Sequence, residues 1–116
     1  MKEVVIVSGA RTSIGAFGGS LKDVSAIEMG SLVMREVFKK INLKPVVSGE
    51  QISVAPDKFK QKGQLDLEKK GYLYNAGAKE ITVDETTMGC VLQAAQGQNP
   101  GRQAAIFAGI PKEAAG

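Results

Sequence analysis

The hydrophobic pattern opens with Val4, Val5, Ile6 and Val7, an unbroken apolar run of β-branched residues. Such a run predicts a strand covered on both faces inside a parallel or mixed sheet, and it places the chain in the α/β class. Residues 8–23 hold Gly9, Gly15, Gly18 and Gly19 without a helical period, which predicts an extended loop. Ser25 and Glu28 then stand at the spacing of a capping box, in which hydroxyl and carboxylate each take the other residue's backbone N–H. A helix starts there. Ile27, Gly30, Met34, Val37 and Ile41, flanked by Val33 and Phe38, recur every three or four residues, while Arg35, Glu36, Lys39 and Lys40 face away. Lys39 and Lys40 suit the negative end of the helix dipole, Asn42 closes the helix and Pro45 prevents its return.

Residues 46–80 change character. Ile52, Ser53 and Val54 predict a short strand, residues 57–70 are Lys-rich and poorly patterned, and Tyr72 and Tyr74 precede Asn75, Ala76 and Gly77. The pattern predicts an exposed excursion built from a hairpin and a short helix, with the tyrosines in local packing. Order resumes near Thr82. Residues 86–93 predict a strand through Met88, Cys90 and Leu92, and residues 94–98 a loop. Asn99 as N-cap and Pro100 as first helical residue open a helix over 101–108 that Gly109 and Pro111 terminate. The order is strand, loop, helix, excursion, strand, helix, with no internal repeat.

Composition narrows the chemistry. With 116 residues and 43% hydrophobic content the chain has the size of one ordinary domain. Fifteen Lys and Arg against twelve Asp and Glu, spread along the chain, describe a solvated surface and no nucleic-acid footprint. No apolar run has the roughly 20 residues of a membrane helix, and no signal-peptide core follows the first residues, so a cytoplasmic protein without membrane contact is expected. Cys90 stands alone, which leaves no intrachain disulfide and no paired-cysteine metal site. The chain has no histidine. A Ser-His-Asp triad, a Cys-His pair or a His-ligated metal is therefore beyond it, and no metal ligand set is expected.

The glycines after the first strand admit two readings. Residues 8–15 approximate the T-G-x-x-x-G-I-G turn of short-chain dehydrogenases, which would make the chain an NAD(P)-binding fragment. That turn needs a helix N-terminus directly behind it to hold the pyrophosphate, and here Ser13 occupies the middle glycine position and the helix waits until Ser25. Neither tyrosine is followed by Lys four residues later.

The other reading rests on two blocks. Val5-Ile6-Val7-Ser8, Ala10-Arg11-Thr12, Ile14-Gly15 and Phe17-Gly18-Gly19-Ser20-Leu21 resemble the N-terminus of thiolases, the acetyl-CoA acetyltransferase group. The stretch from Met88-Gly89-Cys90 through Gly97-Gln98-Asn99-Pro100-Gly101-Arg102-Gln103 to Ala108-Gly109-Ile110-Pro111 resembles the same family more specifically. The resemblance covers about residues 1–45 and 81–116, and the excursion at 46–80 is unmatched. It implies that residues 1–116 are a partial thiolase N-terminal domain with an insertion.

Thiolases condense two acetyl-CoA molecules, or cleave a 3-oxoacyl-CoA with free CoA, through an acyl-cysteine. That chemistry takes a low-pKa thiolate, a second cysteine, a histidine and oxyanion-hole donors. The resemblance puts none of those catalytic positions in this chain, which stops shortly before the nucleophile segment. A coenzyme A thioester is the implied substrate once the rest of a thiolase is present, with no covalently bound cofactor. Gln98 and Asn99 are implied to lie near the active site, although closing a loop and capping a helix accounts for them equally. Arg11, Gly15, Gly18 and Gly19 are implied to shape a structural loop. Cys90 falls at a variable family position and reads as a structural thiol. As a piece the chain would expose apolar faces, so either a second chain supplying the remaining fold or copies of itself are expected. A third possibility is a non-enzymatic protein-binding module whose excursion is dispensable for folding.

Overall fold

Helix α1 (Ala26–Lys40) begins where the capping box puts it. In the computed structural model, which describes residues 2–60 and 63–116, the Ser25 Oγ accepts the Glu28 N–H at 3.1 Å and the Glu28 carboxylate accepts the Ser25 N–H at 2.9 Å. The Glu28 carboxylate is held below its ordinary pKa by two bonds donated to it, first from the Ser25 N–H and second from the Ser25 hydroxyl at 3.0 Å. Asn42 ends the helix in the left-handed region at φ 52°, and its carbonyl accepts the Lys79 N–H at 2.9 Å. The turn that stops the helix thus leads straight into the sheet.

That sheet has two described strands, β1 (Leu43–Val46) and β2 (Lys79–Thr82), paired in parallel with Leu43 opposite Lys79 and Val46 opposite Thr82. Parallel strands need a long crossover. Residues 47–78 supply it through three short helices: α2 (Gly49–Val54), α3 (Asp57–Lys60) and α4 (Asp66–Gly71). The expected strand at Ile52, Ser53 and Val54 is therefore the second half of α2. Ser48 starts it with a capping box to Gln51, a signal that outweighs the β-branched pair, and Gln51 Nε2 ties the helix to the Val83 carbonyl at 2.8 Å. No hairpin occurs among the described residues of the excursion.

The core lies between α1 and α5 (Pro100–Phe107). Ala105, Ala108, Ile110 and Ala114 form the buried cluster, and Met34, Phe38 and Val83 pack against it. Small residues let the helices approach. A Cβ on Gly30 would lie 2.6 Å from Met88 Cε and 3.3 Å from Ala104 Cβ. Arg35, expected to face away, is half-buried and donates to the Phe107 carbonyl at 3.1 Å. Tyr74 donates to the next carbonyl, Ala108, at 2.8 Å. Together they take up acceptors that the end of α5 leaves without helical partners. Tyr74 also meets Phe38 and Tyr72 edge to face, with ring centroids 6.2 and 5.2 Å away, so the tyrosines are packing residues.

Two expected strands are not formed. Residues 4–7 form no strand and pair with nothing among the described residues, and Val4 and Ile6 are 94% and 97% exposed. An apolar strand of this kind is stable only between neighbours, and neither β1 nor β2 pairs with it. Residues 86–93 form no strand, and the single ladder step lies at their start: Glu85 bridges Ala115 in parallel, with Thr86 N–H to the Ala115 carbonyl at 2.9 Å. Beyond it the backbone pairs with no strand among the described residues, and Val91 is 98% exposed. The α/β class holds. What is absent around these two segments is neighbouring sheet. The exposed surface, 8387 Å², is about 2,000 Å² above the roughly 6,100 Å² expected of a compact monomer of 12.2 kDa.

Candidate functional site

The loop before α5 is where the sequence placed its best candidates, and its backbone is held by a few polar contacts. Ala95, Gly97 and Asn99 all take positive φ, 62°, 78° and 48°, so the chain winds tightly through 95–99. Gln103, one turn into α5, reaches back and donates from one Nε2 to the carbonyls of Gln96 at 2.9 Å and Gln98 at 3.0 Å. A Cβ on Gly97 would sit 2.8 Å from that nitrogen. The glycine is needed for its dihedral, and a Cβ there would displace the Gln103 amide from its two carbonyls.

Asn99 caps α5. Its Oδ1 accepts the Arg102 N–H at 3.0 Å, and its Nδ2 donates to the Gly116 carbonyl at 3.4 Å. Arg102 in turn donates to the carbonyls of Ala114, at 2.5 Å, and Lys112. Neither Arg102 nor Gln103 stood out in the sequence. A signal was available, because an Asn-Pro helix start puts the next polar residues one turn on, over the loop they close. Gln98 itself is exposed and makes no side-chain hydrogen bond among the described residues. Its side chain is presented outward from a loop fixed through its backbone.

Cys90 lies on the unpaired stretch that precedes this loop. It is half-buried, and its Sγ stands 3.5 Å from the Leu92 carbonyl. No imidazole exists in the chain to draw its proton, and no group of three or more His, Cys, Asp or Glu gathers as metal ligands among the described residues.

The glycine-rich loop forms a separate region. Arg11 is exposed and donates to the carbonyl of its neighbour Thr12 at 3.1 Å, and Lys40 reaches from α1 to the Gly9 carbonyl at 3.1 Å. Gly18 adopts φ 68°, Gly19 N–H closes a turn on Ala16 at 2.9 Å, and Gly15 lies against the Leu21 side chain. These glycines turn the chain toward α1, whose N-terminus begins only at Ala26. The backbone amides of 9–15 are thus not followed by the helix start that a dinucleotide cradle uses. No described helix is long and apolar enough to cross a membrane.

The site as it stands offers a rigid loop, a capped helix and no nucleophile–base pair. Comparison with known proteins gives it a context. The family described as Thiolase, N-terminal domain matches residues 4–64 and 47–116. The acetyl-CoA acetyltransferase of Syntrophomonas wolfei is 38% identical over 112 residues, which cover 97% of this chain and 19% of that protein. That of Cupriavidus necator is 38% identical over 111 residues, 96% of this chain and 19% of that protein. A Clostridioides difficile acetyl-CoA acetyltransferase is 36% identical over 113 residues, 97% of this chain and 73% of its own length. The chain thus spans about a fifth of the first two relatives. The excursion at 46–80, expected to be unmatched, lies inside the stretch that the family model covers, in a chain aligned almost end to end. This chain belongs to the thiolase family, through that family's N-terminal domain.

Proposed function

We propose that this chain is the N-terminal portion, or small subunit, of a thiolase-type acyltransferase that forms acetoacetyl-CoA or cleaves it with coenzyme A, and that it is inactive alone. One observation carries the reading. A chain aligned along 97% of its length with an acetyl-CoA acetyltransferase holds no histidine and one cysteine. Acyl transfer to a thiolate needs a base or cation that lowers the thiol pKa, and Cys90 has neither in contact.

The catalytic cysteines and histidine then lie outside these 116 residues, in the remainder of the thiolase length. Copies of this chain would cover apolar surface but supply no histidine, so a second, larger chain is the partner of choice. The coenzyme A thioester is the substrate of that assembly, and no covalent cofactor takes part. In it, Gln98 is the residue of this chain presented nearest the chemistry. Its outward side chain on a loop clamped by Gln103 supports that role.

The test is coenzyme A-dependent cleavage of acetoacetyl-CoA by the isolated chain and by the assembly drawn gently from its source cells, with native mass spectrometry of the latter. The isolated chain is expected to leave the thioester intact, and an assembly containing a larger chain to cleave it. Turnover by the isolated chain, or an inert monomer in cells, contradicts the proposal.

A further inference from the structure

Between the excursion and α5 lies a cavity of about 500 Å³, within the roughly 300–1,000 Å³ of small-molecule sites. Three elements wall it with apolar side chains: Val54 from the end of α2, Leu65 from the residue before α4, and Ile106 from α5. Helix α2 stops at Val54 because Pro56 disfavours helical backbone at Ala55, which is extended at ψ 146°. On α5, Arg102 and Ile106 stand four residues apart and so share a face. Val54 is 80% and Leu65 37% exposed, which leaves this apolar wall open to water.

Three charged side chains line the same cavity, Arg102, Lys112 and Glu113. Lys112 and Glu113 neutralise each other: Nζ and Oε1 are 2.7 Å apart, and the side chains are only 12% and 11% exposed. Arg102 has no such partner. Its half-buried guanidinium donates to the carbonyls of Ala114 and Lys112, both neutral, and pairs with no carboxylate among the described residues. Among the described residues, those two bonds leave further N–H groups of the guanidinium uncommitted. A partly desolvated cation of this shape is matched best by a planar anion, and a carboxylate supplies one. The cavity thus carries one uncompensated positive charge beside an apolar wall.

We propose that this cavity binds a monocarboxylate with an aliphatic tail, its carboxylate on Arg102 and its tail against Val54, Leu65 and Ile106. Charge balance selects the head, since a second negative charge would find no cation to match it and would meet Glu113. The shape selects a small molecule, because the apolar residues converge from three elements around a hollow and form no flat face. The site goes beyond the thiolase reading and does not depend on it: it needs only the excursion and α5.

The test is calorimetric titration of the chain with octanoate, octanamide and acetate at neutral pH, repeated with octanoate on Val54→Glu and Val54→Lys while the thermal midpoint of each variant is followed. Octanoate is expected to bind saturably. Octanamide, which lacks the charge, and acetate, which lacks the tail, are each expected to bind at least about tenfold more weakly. Val54→Glu sets an anion at the rim and should weaken octanoate about tenfold, whereas Val54→Lys, of similar length and opposite charge, should bind it at least as well as the parent. Val54 is mostly exposed, so both variants should keep the parent's midpoint, and the comparison of ligands needs no variant at all.

Octanamide or acetate binding as tightly as octanoate would overturn the proposal, the second by showing an adventitious ion only. Unchanged octanoate binding by Val54→Glu, or equal loss in the two variants, would overturn the placement on Arg102. So would the absence of saturable octanoate binding by the parent chain at millimolar concentration.

Discussion

Gly71 and Gly109 meet backbone to backbone where α4 ends against the turn that follows α5. A Cβ on Gly109 would stand 2.9 Å from the Gly71 carbonyl carbon, and one on Gly71 would stand 2.6 Å from the Gly109 nitrogen. Gly109 also holds φ 81°, the left-handed residue that ends α5. Beside this contact the Glu68 carboxylate, 1% exposed, accepts the N–H of Leu65 at 2.6 Å and of Lys112 at 2.5 Å. The excursion is thus fastened into the core by two glycines, a carboxylate and Tyr74.

Gly71→Ala is expected to cost about 1–3 kcal/mol, the range of an overpacked core site. Gly109→Ala adds roughly 1–2 kcal/mol of left-handed backbone strain to the same clash. Urea unfolding of both variants measures this. Midpoints unchanged from the parent chain would take α4 out of the core.

Deleting residues 47–78 is expected to abolish cooperative unfolding. A short turn cannot join β1 to β2 in parallel, and the deletion exposes the α5 surface that Glu68, Gly71 and Tyr74 cover. Thermal melts followed by circular dichroism test it. A shortened chain that keeps the parent's melting midpoint would show instead that the excursion is a detachable module.

How much of this was legible in the sequence depends on where each element finds its stability. Helix α1 and the start of α5 were readable because Ser25, Glu28, Asn99 and Pro100 act on neighbours three residues away. Strands draw their stability from other strands. The runs at 4–7 and 86–93 carry strand-like sequence, yet neither forms a strand, and the bridge of Glu85 to Ala115 lies just before the second. Residues 43–46 and 79–82 pair although Pro45, Lys44, Lys79 and Glu80 give no alternating pattern, held by their register and the Lys44–Glu80 ion pair at 3.2 Å. Glu68 looked like one charge among many in a Lys-rich stretch, because its burial is set by the distant Lys112. In the candidate site, Asn99 was legible as a cap, whereas the clamp by Gln103 depends on the left-handed turns at Gly97 and Asn99.

The alkaline limit of stability should report Tyr74. Burial raises its phenol pKa above the ordinary 10.0, Arg35 opposes that rise and Tyr72 adds to it. The folded state therefore holds this proton more tightly than the unfolded chain does. The contribution is complete below pH 10.0 and is lost as pH climbs past it. Tyr74→Phe, which also gives up the bond to the Ala108 carbonyl, should lower stability at neutral pH by about 1 kcal/mol and flatten the alkaline decline. Melting midpoints taken from neutral to strongly alkaline pH decide it. A variant declining as steeply as its parent would contradict burial as the cause.

The most direct measurement of the central claim is acetoacetyl-CoA cleavage in a mixture of this chain with the downstream part of the Syntrophomonas wolfei acetyl-CoA acetyltransferase, each component also being assayed alone. Neither component is expected to turn over the thioester by itself. The mixture is expected to do so, with a rate that falls when Gln98→Ala replaces the parent chain. Cleavage by this chain alone, or a mixture as inert as its parts, would contradict the account of a thiolase portion that becomes active by completion.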